Sequence, residues 1–141
     1  MPHPSVTNFD ALTQETLTSH PLLFSRIAKA LEINGSEAPI YFKELLKFLA
    51  LISFHQKHLT PAYKIDLAWH EFILFTRLYT SFCDTHFDRY IHHSPGGKDN
   101  ENEAQFKQTI LLYEETYGKL PLNLWGVNNT PIESSCGPCE S

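Results

Sequence analysis

What this sequence lacks narrows its function before any motif is considered. No uninterrupted apolar stretch reaches about 18 residues, so we expect no membrane-spanning helix. Acidic residues outnumber basic ones by 16 to 11, and the formal net charge is -5. Nucleic acids and anionic membranes attract basic surfaces, so we expect neither as the main partner. Gly-rich phosphate loops, nucleophilic serine elbows and paired-carboxylate signatures are also missing from the sequence.

Cysteine is scarce, and its number is odd. The chain has Cys83, Cys136 and Cys139, and no basic region followed by an apolar run precedes them at the N-terminus. An odd count without an export signal favours reduced thiols or metal ligands over a disulfide framework. We therefore expect a cytoplasmic protein. Histidine, by contrast, is plentiful. The chain has eight histidines, and three of them fall within the range 86–93.

The apolar periodicity predicts an all-α protein with a single domain. A chain of 141 residues with 42% hydrophobic and 19% charged residues is typical of one globular domain. Helical spacing and cap residues predict a bundle of about four main helices joined by short connections. Its most apolar helix covers 40–54 and should be central. We place the helical domain at 1–126 and a polar tail, with the Cys-Gly-Pro-Cys motif, at 127–141.

The longest predicted helix organises the rest of the chain. Thr60-Pro61 is a typical helix start, and the pattern predicts one helix from there to about Cys83 or His86. With 100° per residue, one set of side chains forms a core face and another a mostly polar stripe. The core face holds Trp69, Phe72, Thr76, Tyr79 and Cys83, and the stripe holds Asp66, His70, Ile73, Arg77 and Asp84. Cys83 is then a small buried hydrophobe, roughly 20 Å along the axis from His70.

Asp66 and His70 are one turn apart on the polar stripe. A carboxylate in this position can orient a metal-bound imidazole and raise its basicity. It can also be a ligand itself, beside two histidines, as in non-haem iron sites. The alternative is an Asp–His hydrogen bond without a metal.

Two further histidine pairs are candidates to join this pair. His92 and His93 are adjacent, and neighbouring residues on an extended segment point to opposite sides, so only one of them should reach His70. The alternative is a loop pair with one packed and one solvated ring. His55 and His58 end the preceding helix, where a protonated histidine is also favoured by the helix dipole.

The C-terminal motif Cys136-Gly-Pro-Cys139 matches the thioredoxin active-site tetrapeptide. That chemistry requires a thiolate at a helix N-terminus after a strand, and no strand is predicted here. Two thiolates at this spacing also form half of a structural zinc site. Together with His70 and His92 or His93 they would complete four ligands, and a free tail is the remaining alternative.

Three segments of the chain carry a resemblance to a known family. They are Asp66-x-x-Trp69-His70, then Ile73-Leu74-x-Thr76-x-x-Tyr79-x-x-Phe82-Cys83, then His92-His93-x-Pro95. With the later Tyr113, Thr116-Tyr117-Gly118 and Leu124-Trp125, this pattern resembles the glycine-rich-domain-containing-protein-like family over about 45–139. The resemblance implies a helical domain without an established general activity. Phe72 stands where that family has a second histidine, on the core face about 160° from His70.

These observations favour a cytosolic helical domain that binds zinc or iron through His70 and one of His92 and His93. Asp66 or the pair Cys136 and Cys139 would complete the ligand shell. Water in the fourth position would permit metal-assisted hydrolysis or oxygen chemistry, whereas two thiolates would close the site. One alternative is a metal-free interaction module for a small molecule or a protein, and a further one is a thiol-redox protein that uses the cysteine pair.

Overall fold

The computed structural model describes residues 2–93 and 99–126, and of Asp99 and Asn100 only the backbone. Within these ranges the chain forms seven α-helices and no β-strand, which confirms the all-α class and the single domain. The helices are α1 (Phe9–Ser19), α2 (Pro21–Leu31), α3 (Ala38–His55), α4 (Tyr63–Leu74), α5 (Thr76–Phe87), α6 (Asp99–Tyr117) and α7 (Leu122–Trp125). None of the described helices is both long and apolar enough to cross a membrane.

The apolar helix α3 is central, as its composition predicts. It packs against α1, α2, α4, α5 and α6. Phe42, Leu45, Phe48 and Leu49 are all fully buried along it. The other helices surround α3 because each must bury an apolar face against something, and α3 offers apolar surface on most of its circumference.

The predicted long helix is in fact two helices. The backbone leaves the helical conformation at Phe75 (φ -86°, ψ 69°), so α4 ends at Leu74 and α5 starts at Thr76. The break lets the ring of Phe72 contact the ring of Tyr79, with ring centroids 4.9 Å apart. In a straight helix these two residues would be about 10 Å apart along the axis. Burial of aromatic rings in one core therefore overrides the helical periodicity.

The break corrects two details of the predicted faces. Thr76 was expected in the core but is exposed at the first position of α5. Arg77 and Asp84 are also exposed and belong to α5, so they do not continue the polar stripe that starts on α4. The core face remains otherwise, because Trp69, Phe72, Tyr79 and Cys83 are buried.

A buried carboxylate on α3 fastens the C-terminal helices to the bundle. Glu44 Oε1 accepts hydrogen bonds from the Tyr113 hydroxyl of α6 at 2.7 Å and from Trp125 Nε1 of α7 at 3.0 Å. Lys47 Nζ donates to the same Tyr113 hydroxyl at 2.8 Å. Trp125 belongs to the short helix α7, and its side chain is fully buried.

Replacing Glu44 with Ala is expected to lower the free energy of unfolding by about 3 kcal/mol, because two buried donors lose their acceptor. Urea denaturation measures this loss. The matched control is Glu103→Ala, which removes an exposed carboxylate 4.0 Å from Lys107 and should change stability by less than about 0.5 kcal/mol. Equal stability of the two variants would contradict the assigned role of Glu44.

Candidate metal centre

Two histidines from separate parts of the chain face one carboxylate. Asp66 and His70 lie on α4, and His93 lies in the non-helical segment that follows α5. Asp66 Oδ1 is 2.7 Å from His93 Nε2, and Asp66 Oδ2 is 3.5 Å from His70 Nε2. The two imidazole centroids are 4.3 Å apart. One nitrogen or oxygen atom of each residue lies within 4.8 Å of the others, close enough for all three atoms to surround one ion.

Alternation along the segment after α5 determines which histidine joins. Asp88 ends α5 in the left-handed conformation (φ 61°), and the chain then returns toward α4. Ile91 is 3% exposed, so it is inserted into the core. His93, two residues later, faces the same side, whereas His92 is exposed and packs its ring on Tyr90 at 4.7 Å. The arrangement has one packed and one solvated histidine, and the packed one lies beside Asp66.

The centre is partly shielded from water. The Asp66 side chain is 11% exposed and that of His93 is 18% exposed, whereas His70 at 40% forms the open side. Burial lowers the pKa of His70 below its ordinary value of 6.5, the Asp66 carboxylate opposes that shift, and His93 adds to it. His70 is therefore a neutral imidazole at neutral pH, which is the form that binds metals.

The two distances to Asp66 describe a metal-free pairing whose spacing is close to that of a ligand set. In a tetrahedral zinc site with bonds of about 2.0–2.1 Å, two ligand atoms are roughly 3.3 Å apart. The distance of 3.5 Å from Asp66 Oδ2 to His70 Nε2 fits this value, and the distance of 2.7 Å from the other oxygen, Oδ1, to His93 Nε2 is that of a hydrogen bond. A metal would take the place of the shared proton and move Asp66 and His93 apart by about half an ångström.

The aromatic environment of His93 is a feature that the sequence pattern did not reveal. The Trp69 ring packs on the His93 ring with centroids 4.3 Å apart. Trp69 Nε1 donates to the Tyr79 hydroxyl at 2.9 Å, and that hydroxyl donates to the Ile91 carbonyl at 2.6 Å. Trp69 and Tyr79 both belong to the predicted core face. Ten residues of straight helix would separate them by about 15 Å along the axis, so the indole nitrogen reaches the hydroxyl because the helix breaks at Phe75.

Several candidate residues lie elsewhere. His55 packs against the neighbouring Phe54 ring, and neither it nor His58 belongs to the cluster. Cys83 is fully buried, as expected of a small hydrophobe, and is also absent from the cluster. The predictions for Cys136 and Cys139 concern residues outside the described ranges. Among the residues that the structure describes, Asp66, His70 and His93 form the one group of three such side chains with ligand atoms this close.

Two histidines that lie away from the centre are in surroundings that disfavour the protonated form of the ring. His55 stands at the end of α3, where a positive ring would suit the helix dipole. Burial nevertheless lowers its pKa, and its Nε2 is buried without a hydrogen-bond partner. His86 in the last turn of α5 packs on the Phe82 ring at 4.4 Å, and burial lowers its pKa as well. Both rings are therefore neutral in the folded protein at pH 7.

Comparison with known proteins gives a family match whose description names no activity. A family model described as UCP032817-like matches residues 11–113, a range that includes the whole candidate centre. No curated protein and no solved structure matches the chain.

The lowered pKa values of His55 and His86 predict that acid destabilises the fold. Both rings have the ordinary value of 6.5 when unfolded and a lower value when folded, so the unfolded state binds more protons as the pH falls. Stability is complete above about pH 6.5 and is lost as the pH falls through that value toward the folded pKa. Urea denaturation with a chelator present, at about pH 7.5 and pH 5.5, measures the difference.

The His55→Gln variant is expected to lose part of this pH dependence, because its side chain does not titrate. Stability that is constant or rises on acidification would contradict the assignment of neutral buried rings.

Proposed function

The chain belongs to the UCP032817-like family, and because that description names no activity, we propose a function from the geometry of the centre. The protein binds one divalent transition metal, zinc or iron, through Asp66, His70 and His93. The observation that carries this proposal is the convergence of two imidazole rings, 4.3 Å apart, on one buried carboxylate. The rings come from positions 23 residues apart, so local helix geometry alone does not explain their meeting.

The chemistry of the donor set supports the two metals named. Two imidazole nitrogens and one carboxylate oxygen are the ligands of many catalytic zinc sites, which keep another position for water. The same set is typical of non-haem iron enzymes with open positions. His70 is half-exposed, so one side of such a metal faces the solvent. An open position of this kind is what metal-assisted hydrolysis and oxygen chemistry require, with a small molecule as the partner.

Three other uses of the chain remain as alternatives. In the first, Cys136 and Cys139 replace water as ligands, and the site is closed and structural. In the second, the chain is a metal-free interaction module for a small molecule or a protein. The 2.7 Å hydrogen bond between Asp66 and His93 favours this second alternative, because it satisfies both polar groups without an ion. A thiol-redox role for the cysteine pair would need no metal either.

Elemental analysis of protein purified without a histidine tag, and under reducing conditions to preserve iron(II), is expected to find one equivalent of metal. The variants His70→Ala, His93→Ala and Asp66→Asn should each weaken metal binding by roughly 100-fold or more, since loss of a residue that merely orients a ligand already costs 10- to 100-fold. His92→Ala is the matched control, because it removes an adjacent, exposed imidazole. Substoichiometric metal, with melting unchanged by a chelator, would instead support the metal-free module.

The double variant Cys136→Ser and Cys139→Ser tests whether the tail contributes ligands. If Asp66, His70 and His93 suffice, its metal content and its affinity for cobalt(II) equal those of the wild type. The wild-type cobalt spectrum should then lack a thiolate charge-transfer band. Loss of the metal, or the presence of that band, would show a closed site that includes thiolates.

A further inference from the structure

Among the three residues of the centre, His93 is the one outside a helix. Asp66 and His70 have their positions fixed by the backbone hydrogen bonds of α4. The segment that carries His93 is not helical, so its position depends on its contacts with neighbouring elements. Whatever holds this segment determines whether His93 Nε2 lies 2.7 Å from Asp66.

The segment is held at Ile91 by a buried side chain of α5. The Tyr79 hydroxyl donates a hydrogen bond to the Ile91 carbonyl at 2.6 Å. The Cys83 thiol, one turn further along α5, lies beside the same Ile91 backbone, which opposes the rise that burial causes in the pKa of the thiol. Tyr79 is fully buried, so water does not compete for its bond to the Ile91 carbonyl. The Ile91 backbone is therefore anchored two residues before His93.

A tryptophan links this anchor to the histidine itself. Trp69 Nε1 donates to the Tyr79 hydroxyl at 2.9 Å, and the face of the same indole lies against the His93 ring. Because Tyr79 has a single hydroxyl proton and accepts from Trp69, that proton is committed to Ile91. Burial raises the pKa of Tyr79, so the hydroxyl stays protonated and remains a donor.

We propose that Tyr79 is a positioning residue for the metal centre. Its hydroxyl fixes the Ile91 carbonyl and the Trp69 indole, and the two together hold His93 over Asp66 and His70. This inference rests on the proposed metal binding for its effect on affinity. Its structural part, the placement of His93, can be tested without any metal.

The test compares Tyr79→Phe with Tyr117→Phe. Both substitutions keep the ring and remove a hydroxyl that donates to a backbone carbonyl, since the Tyr117 hydroxyl donates to the Lys47 carbonyl at 2.9 Å. Zinc affinity is measured by competition with a chromophoric chelator, and thermal melting is measured on the same samples. Tyr79→Phe is expected to bind zinc roughly 10- to 100-fold more weakly, and Tyr117→Phe to bind it as the wild type does.

A second measurement uses the metal-free protein. Nuclear Overhauser effects between the Trp69 indole and the His93 ring should be present in the wild type and in Tyr117→Phe, and weakened in Tyr79→Phe. A variant that is merely less stable would have a lower melting temperature, but its folded state would keep the contact between Trp69 and His93. If Tyr79→Phe fails to fold, Cys83→Ala takes its place, because Cys83 is the other buried α5 side chain beside the Ile91 backbone.

The outcomes separate this inference from the proposed function. If the wild type binds zinc and Tyr79→Phe binds it equally well, the positioning role is wrong and the metal site stands. If the wild type binds no metal, the proposed function fails. The positioning role of Tyr79 is then judged from the contact between Trp69 and His93 alone. Its loss in Tyr79→Phe supports the positioning role, and its persistence overturns it.

Discussion

The hydrogen bond between Asp66 and His93 is the constraint on which the arrangement of this protein depends. A carboxylate that is 11% exposed needs polar partners, and α4 supplies only His70 from within itself. The second partner must be brought back from beyond α5. A straight helix over 63–87 would be about 36 Å long and would carry the following segment away from Asp66. The break at Phe75 interrupts that course, and the chain that follows Asp88 returns His93 to α4.

The break is also the part of the fold that the sequence could not reveal. Leu74, Phe75 and Thr76 include no glycine, proline or asparagine, so nothing local marks the end of a helix there. The break accompanies the packing of the Phe72 ring against the Tyr79 ring in the core, and tertiary packing of this kind overrides local propensity. The central position of α3 was predictable because an apolar circumference has one physical consequence, namely burial on all sides.

The site shows the same division between local and tertiary information. Asp66 and His70 face each other because residues one turn apart always do, so their pairing could be predicted. Alternation in an extended segment predicted that one of the two adjacent histidines would join them. Which one joins depends on the burial of Ile91 and on the hydroxyl of Tyr79, and neither follows from the spacing of the histidines.

X-ray absorption at the zinc edge of the zinc-loaded protein is the most direct test of a centre built from Asp66, His70 and His93. The expected spectrum has only nitrogen and oxygen neighbours, at about 2.0–2.2 Å, with the outer-shell scattering of two imidazole rings. Replacement of His93 by Ala should remove one of those rings. A sulfur shell at about 2.3 Å, or two imidazoles still present after His93 is replaced, would contradict the proposed ligand set.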